Sequence, residues 1–434
     1  MAANDSLTTT GVGSYSKQND YEVLKLEITS NQGGDPISML NQFIEIAIYE
    51  DIKAPSLVGE IVLADTFNYA EVIPIVGNER VTLEYRTKGN KIEVVSLTGR
   101  IFTVLGKNRT SGEKGEVYKL VFRSEGSFID HTKRVSSSIK GTMSDMVKSV
   151  FADHMKDIPI SVDPSIGRYA YIIPFWSPKF TALWLARRAT SSSNPENPSC
   201  FVFYEDVDGF QFRDINKKLR KEPIYKFRVE PLSGKNINDL SNYLTRVQQF
   251  SVNKFFDRLE EYNSGLYSGL LSVHDITTKS ISSTVLDHSR DFGTYTRLNE
   301  NPIMPSENKE FSNAPLGFYN FVPTQTDRFD SIENPDDHQK YFLKRNSILA
   351  QLYSHSVSAT IPGNSSLRLL DVVDLDVPKL GFMPNTETDW KDTHLSGKYM
   401  ITAMKHVINR QTGYTTTMEL SKDSLIEPIP DKFK

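Results

Sequence analysis

One pattern constrains this chain more than any other. The stretch "LTGRIFTVLGKNRTSGEKGEVYKLVF" (Leu97 to Phe122) returns as "LSGKYMITAMKHVINRQTGYTTTMEL" (Leu395 to Leu420). Laid over each other without a gap, the two lines match Leu97 with Leu395, Gly99 with Gly397, Lys107 with Lys405 and Gly115 with Gly413. Each reads as a long hairpin. Tyr118, Leu120 and Phe122 alternate on one face, and Thr416, Met418 and Leu420 keep most of that face. A slip of one residue would turn every side chain to the other face, so matched alternation fixes the register. Upstream, "ERVTLEY" from Glu79 and "DVVDLDV" from Asp371 share the order acidic, any, Val, any, Leu, acidic, apolar. Strand, loop, Leu-[Ser/Thr]-Gly and hairpin therefore occur twice in the same order, the mark of a duplicated β unit.

Between and around the copies the periodicity changes. From Tyr21 to Phe128 the text alternates with period two ("YEVLKLEITS", "NQFIEIAIYED", "LVGEIVLAD") and is broken by Gly33-Gly34-Asp35-Pro36, Lys88-Gly89-Asn90 and Gly112 to Gly115. That spacing predicts a small barrel or sandwich over 21–128. Near Ile129 the period becomes helical. Met143, Met146, Val147, Val150 and Phe151 form one apolar stripe, and Thr142 with Asp145 forms a capping box. A second helix opens at Ser177 with Pro178 in its first turn, and Asp208-Gly209 marks a hairpin. An α+β module over 129–225 follows from these signals. β character returns over 226–285 and 350–426, with a short turn or helix near Asp257 to Asn263. These two segments form a discontinuous second β-barrel. Residues 286–349 are an insertion with weak periodicity that ends in a helix at "PDDHQKYFLKRNSILAQLY". Residues 1–20 read as a flexible arm and 427–434 as a tail. The fold class is mainly β with α+β insertions: two homologous antiparallel β-barrel domains and an intervening α+β domain.

The chemistry is sparse. The chain has 434 residues, a formal net charge of −4 and a single cysteine, Cys200. An acidic balance argues against tight nucleic-acid binding. Cys200 heads the apolar run "CFVFY" and reads as a buried small hydrophobe. No apolar stretch approaches a membrane span. The eight histidines form no H-E-x-x-H or other metal spacing, and His406 reads as packed in a strand or facing a neighbouring subunit. No phosphate-cradling glycine loop or nucleophile elbow occurs. Asp206 and Asp208 read as turn residues, and Glu260 and Glu261 as part of a short solvated helix. The basic clusters Lys217 to Lys221 and Arg187-Arg188 read as solvated faces. No catalytic group, metal or cofactor is expected.

The closing "LSGKYMITAMKHVINRQTGYTTTMELSKDSL" resembles the last hairpin of phage baseplate hub proteins, including the hub of T-even-type contractile phages and the hub part of type VI secretion spike proteins. "IYEDIKAPSLVGEIVLADTFNYAEVIPIVGNERVTLEYRT" is similar to the first barrel of that hub, and "FFDRLEEYNSGLYSGLLSVHDITTK" to the start of its second. The resemblance implies a homotrimer in which duplicated barrels give six similar units around a pore. It implies a virion component that joins a hexameric tail tube, or its initiator, to a trimeric spike amid other baseplate proteins. Genomic DNA would pass through the lumen, with no stable membrane insertion. The ring would be lined by Gly99, Ile101, Thr103, Lys107, Tyr118 and Leu120 of the first copy and Gly397, Tyr399, Ile401, Lys405, Thr416 and Met418 of the second. A tail-associated cell-wall hydrolase and a receptor- or glycan-binding tail protein are the alternatives.

Overall fold

The computed structural model describes residues 21–67, 69, 75–88, 94–109, 115–191, 200–229, 244–275, 279–303, 322–323, 338–379 and 390–428. The arm 1–20, the turn residues Gly89-Asn90 and Gly112 to Lys114, most of 304–337 and the end of the tail lie outside the described residues.

The first unit is built from β1 (Tyr21–Thr29), β2 (Phe43–Asp51), β3 (Val58–Asp65), β4 (Arg80–Thr87), β5 (Val95–Arg109) and β6 (Glu116–Ser124). Strict alternation puts Leu26, Ile28, Ile46, Ile48, Ile61, Leu63, Val81, Leu83, Leu120 and Phe122 into one core. Burying each such side chain stabilises the fold by about 1.5–3 kcal/mol, so the period-two pattern is also the energetic reason for the curled sheet.

The α+β module follows with α1 (Glu125–Thr132), β7 (Val135–Gly141), α2 (Met143–His154), β8 (Ile160–Val162), β9 (Tyr169–Trp176), α3 (Pro178–Ala186), β10 (Phe201–Asp206), β11 (Gly209–Asp214) and α4 (Ile215–Leu219). Thr142 Oγ1 accepts from Asp145 N at the start of α2, and Ser177 caps α3 ahead of Pro178. Each cap is worth about 1 kcal/mol. The α2 stripe packs on Phe203, Phe210 and Phe212. The 201–214 hairpin forms, but its turn lies one residue earlier than the Asp-Gly signal suggests. Asp206 pairs with Gly209, so Val207 and Asp208 make the turn. Tertiary anchoring decides this. Val207 N donates to Glu50 Oε1 at 2.6 Å, and the Val207 side chain enters the first unit's core.

The second unit uses β12 (Tyr225–Val229), β13 (Gln249–Lys254), α5 (Arg258–Asn263), β14 (Ser268–Asp275), β15 (Ser280–Asp287), α6 (His338–Leu352), β16 (His355–Pro362), β17 (Val372–Asp376), β18 (Gly397–Asn409) and β19 (Gly413–Lys422). Its core gathers Val357, Ala359, Ile361, Val373, Leu375, Tyr399, Ile401, Met418 and Leu420. β14 pairs with β15 on one side and with Val322–Pro323 on the other in a separate sheet, packed against α6. In α5, Glu261 is not solvated as the sequence suggests. It is 2% exposed and accepts from Arg258 and the Tyr267 hydroxyl.

Candidate assembly interface

Both units string five strands in one order: β2-β3-β6-β5-β4 in the first and β13-β16-β19-β18-β17 in the second. The likeness extends to single hydrogen bonds. Asn78 N donates to Ile101 O and Ile101 N to Glu79 O; Leu370 N donates to Ile401 O and Ile401 N to Asp371 O. Asn78 and Leu370 both hold positive φ, 74° and 64°. Glu79 accepts from Val76 N, and Asp371 accepts from Arg368 N in the same way. Ile101 and Ile401 are therefore equivalent. The gapless overlay of the hairpins needs correcting by two residues on this arm. Leu105 pairs with Lys119 and Lys405 with Thr417, so the first hairpin is two residues longer beyond that point. The extra length is partly taken up by a bulge between Leu105 and Asn108.

The sequence-derived ring residues fall into two groups. Ile101, Tyr118, Leu120, Tyr399, Ile401, Thr416 and Met418 are buried within the chain's own units. Gly99 and Gly397 are buried too. A Cβ on Gly99 would lie 2.5 Å from Arg123 O, and Gly397 has a φ of 128°. Thr103 is half-buried. Lys107 and Lys405 are exposed, the first paired with Glu116 at 3.3 Å and the second over the Tyr49 ring.

The two units meet strand to strand. β18 pairs with β17 over Gly397–Met400. A bulge follows at Thr402, and the rest of that edge pairs antiparallel with β2: Met404 opposite Glu50, Lys405 opposite Tyr49, His406 opposite Ile48. Strands from the two units thus share one sheet, of 14 strands among the described residues. Under the joint, His406 Nε2 lies 3.7 Å from Glu50 Oε2, and His406 Nδ1 lies 2.8 Å from the Tyr414 hydroxyl. Tyr85 and Tyr414 pack edge to face, and burial raises both phenols well above their ordinary range. Asp206 reaches this buried group from the α+β module. Burial first, then Glu50, pushes its carboxyl up to about 7. Further bonds tie all three modules. Arg368 grips Asp208 through two nitrogens, and Glu205 accepts from Leu57 N and Ser127 Oγ. Thr87 and Ser365 exchange reciprocal hydrogen bonds.

No family model matches the chain. It is 22% identical over 407 residues to the probable baseplate hub protein gp334 of Vibrio phage KVP40, covering 90% of this chain and 92% of that protein. Among solved structures, a tail protein from Neisseria meningitidis superposes with a TM-score of 0.55 at 12% identity, covering 93% of this chain and 97% of the other. A prophage MuSo2 tail protein from Shewanella oneidensis gives 0.55 at 12%, covering 92% and 99%. The chain resembles phage baseplate hub proteins. The two structural matches bear on the fold, and they reach across nearly all of it.

In this hub-like chain the described residues include no group of three or more His, Cys, Asp and Glu placed to hold a metal. Cys200 is fully buried in the second unit's core, and burial pushes its thiol up to about 11. A thiol held there carries almost no thiolate at neutral pH. No helix among the described residues is long and apolar enough to cross a membrane. Residues that sequence reasoning passed over are those on β13 and just beyond it. Val252, Phe255 and Phe256 stand 43%, 42% and 55% exposed. Their signal was present in "QFSVNKFF", where Val252, Phe255 and Phe256 are large apolar residues within and just after a strand that also carries Gln249, Ser251, Asn253 and Lys254.

Proposed function

We propose that the chain is a structural, non-catalytic hub of a contractile phage tail baseplate. Three copies form a ring of six similar β units. One face presents near-sixfold symmetry to the tail tube or its initiator, and the other presents threefold symmetry to a trimeric spike. The lumen admits DNA once the spike has left, and other baseplate proteins surround the ring. The carrying observation is the five-strand unit written twice in one chain with the same pairings and the same left-handed residue before its repeated strand. Duplication is the economical way to reconcile the two symmetries, because closed rings bury every subunit edge. The relative that matches across nine-tenths of the chain carries a hub name, which supports virion placement. Mass in solution, with symmetry in projection images, tests the reading. A trimer with six similar lobes is expected. A chain that stays monomeric at high concentration refutes it. A peptidoglycan zymogram should show no clearing; a cleared band would favour the hydrolase.

A further inference from the structure

The joint between β2 and β18 has two unfilled counterparts, one in each unit. β5 repeats β18 in detail. It pairs with β4 over Val95–Arg100, has its bulge at Phe102, and continues along β6 to Arg109. Where β18 receives β2, the matching edge of β5 receives no strand among the described residues. In the second unit β13 repeats β2. It pairs with β16 as β2 pairs with β3, and its other edge is likewise open among the described residues.

Burial follows this pattern. At the filled joint Ile48, Glu50, Thr402 and Met404 are 0%, 2%, 2% and 3% exposed. Their equivalents at the open ends are Val252, Phe255, Phe102 and Val104, which are 43%, 42%, 42% and 39% exposed. Leu105, the equivalent of Lys405, is 48% exposed. Open edges carrying apolar side chains invite another strand. The two edges are complementary in form: one repeats β18 where it receives β2, the other repeats β2 itself. Within one chain the fold already shows which strand such an edge accepts.

We propose that β13 of a second copy of this chain adds antiparallel to the Thr103–Arg109 edge of β5. It repeats between copies the joint that β2 makes with β18 within one copy. The proposal rests on the hub reading above and specifies its contact. Carried over from the filled joint, the register sets Leu105 opposite Lys254 of the next copy and Val104 opposite its Phe255. The contact is head to tail, so it propagates and closes only if the rotation allows.

Paired cysteines test it. Cys200 is buried and gives little background. Residues directly opposite in an antiparallel pair have Cβ atoms about 4.5–5.5 Å apart, within reach of a disulfide after small adjustment. Double variants Leu105→Cys/Lys254→Cys and Val104→Cys/Phe255→Cys cover the register and its neighbour. Leu105→Cys/Ile281→Cys, with Ile281 65% exposed on β15, is the control. Mild oxidation of the assembled protein should give a covalent trimer on a non-reducing gel from at least one test pair, and only monomer from the control. Mixing the two single variants should give dimers alone. A trimer by mass with no cross-link above control overturns the strand contact and leaves the hub reading standing. A chain monomeric at every concentration overturns both. A ladder running past three supports the contact and refutes ring closure. Val104→Asp and Val252→Asp should abolish the oligomer without shifting the monomer's unfolding midpoint, because both side chains are exposed in a single copy. An oligomer that survives both charges overturns the contact.

Discussion

The duplicated core solves one packing problem in two ways, and that difference can be tested. In the first unit Gly59 sits opposite Phe122; at the equivalent place in the second, Val357 sits opposite Leu420. Phe122, Val357 and Leu420 are each no more than 1% exposed. A Cβ on Gly59 would lie 2.1 Å from the Phe122 ring, far inside contact distance. Gly59→Val should therefore cost about 3 kcal/mol or more, the upper range for overpacking a closed core. Phe122→Leu alone removes ring carbons and leaves a small cavity, at about 1–2 kcal/mol. The double variant Gly59→Val/Phe122→Leu rebuilds the second unit's solution inside the first. It should be more stable than Gly59→Val alone, with a coupling of about 1–3 kcal/mol in the favourable direction. Urea unfolding of the wild type, both singles and the double would give the cycle. A coupling within about 0.3 kcal/mol of zero would show that the two cores are not interchangeable at this place, and the equivalence of the units would fail there.

Other expectations are as direct. Lys422 is buried, donates to the His394 and Ser396 carbonyls, and has its ammonium pushed down to about 7 by burial. The unfolded chain then binds the extra proton between about pH 7 and the ordinary lysine value near 10.4. Stability should rise with pH across that window relative to Lys422→Met, and a constant difference between the two proteins from pH 7 to 9.5 would contradict this. Gly209 has a φ of 108°, and a Cβ there would meet Pro159 at 2.6 Å. Gly209→Ala should lower stability by about 2 kcal/mol or more through strain and overlap together, read as a lower thermal midpoint; an unchanged midpoint would mean that the turn can shift. Arg100 grips Glu125 with two nitrogens at 2.8 Å and donates to Asn78 O. Arg100→Lys should cost about 1–2 kcal/mol, because an ammonium cannot reproduce the fork. A loss below about 0.3 kcal/mol in urea would rule out a structural role for that grip.

Much of this protein was legible in local sequence. Strand alternation, the capped helix Met143–His154 and the Ser177-Pro178 helix start depend on periods and turn chemistry within a few residues of each other, and the repeat of the Glu79 and Asp371 segments is visible when the two stretches are laid side by side. The mainly β class followed from them. Where local signals met distant partners, the partners won. The 201–214 turn moved because Glu50 holds Val207 N. Glu261 became buried because Tyr267 and Arg258 close over it. The first hairpin lengthened at a bulge that identities alone conceal. The sequence-derived ring residues illustrate the same limit. Alternation marks which side chains share a face, but not whether that face meets the chain's own core or a neighbour. Strand order and the β2–β18 joint were decided by tertiary structure alone, since edge pairing is written in backbone groups that every residue carries. The amino acids set the period, the caps and the repeated unit; which edges are filled and which stay open depended on the folded chain bringing β2 and β18, far apart in sequence, together.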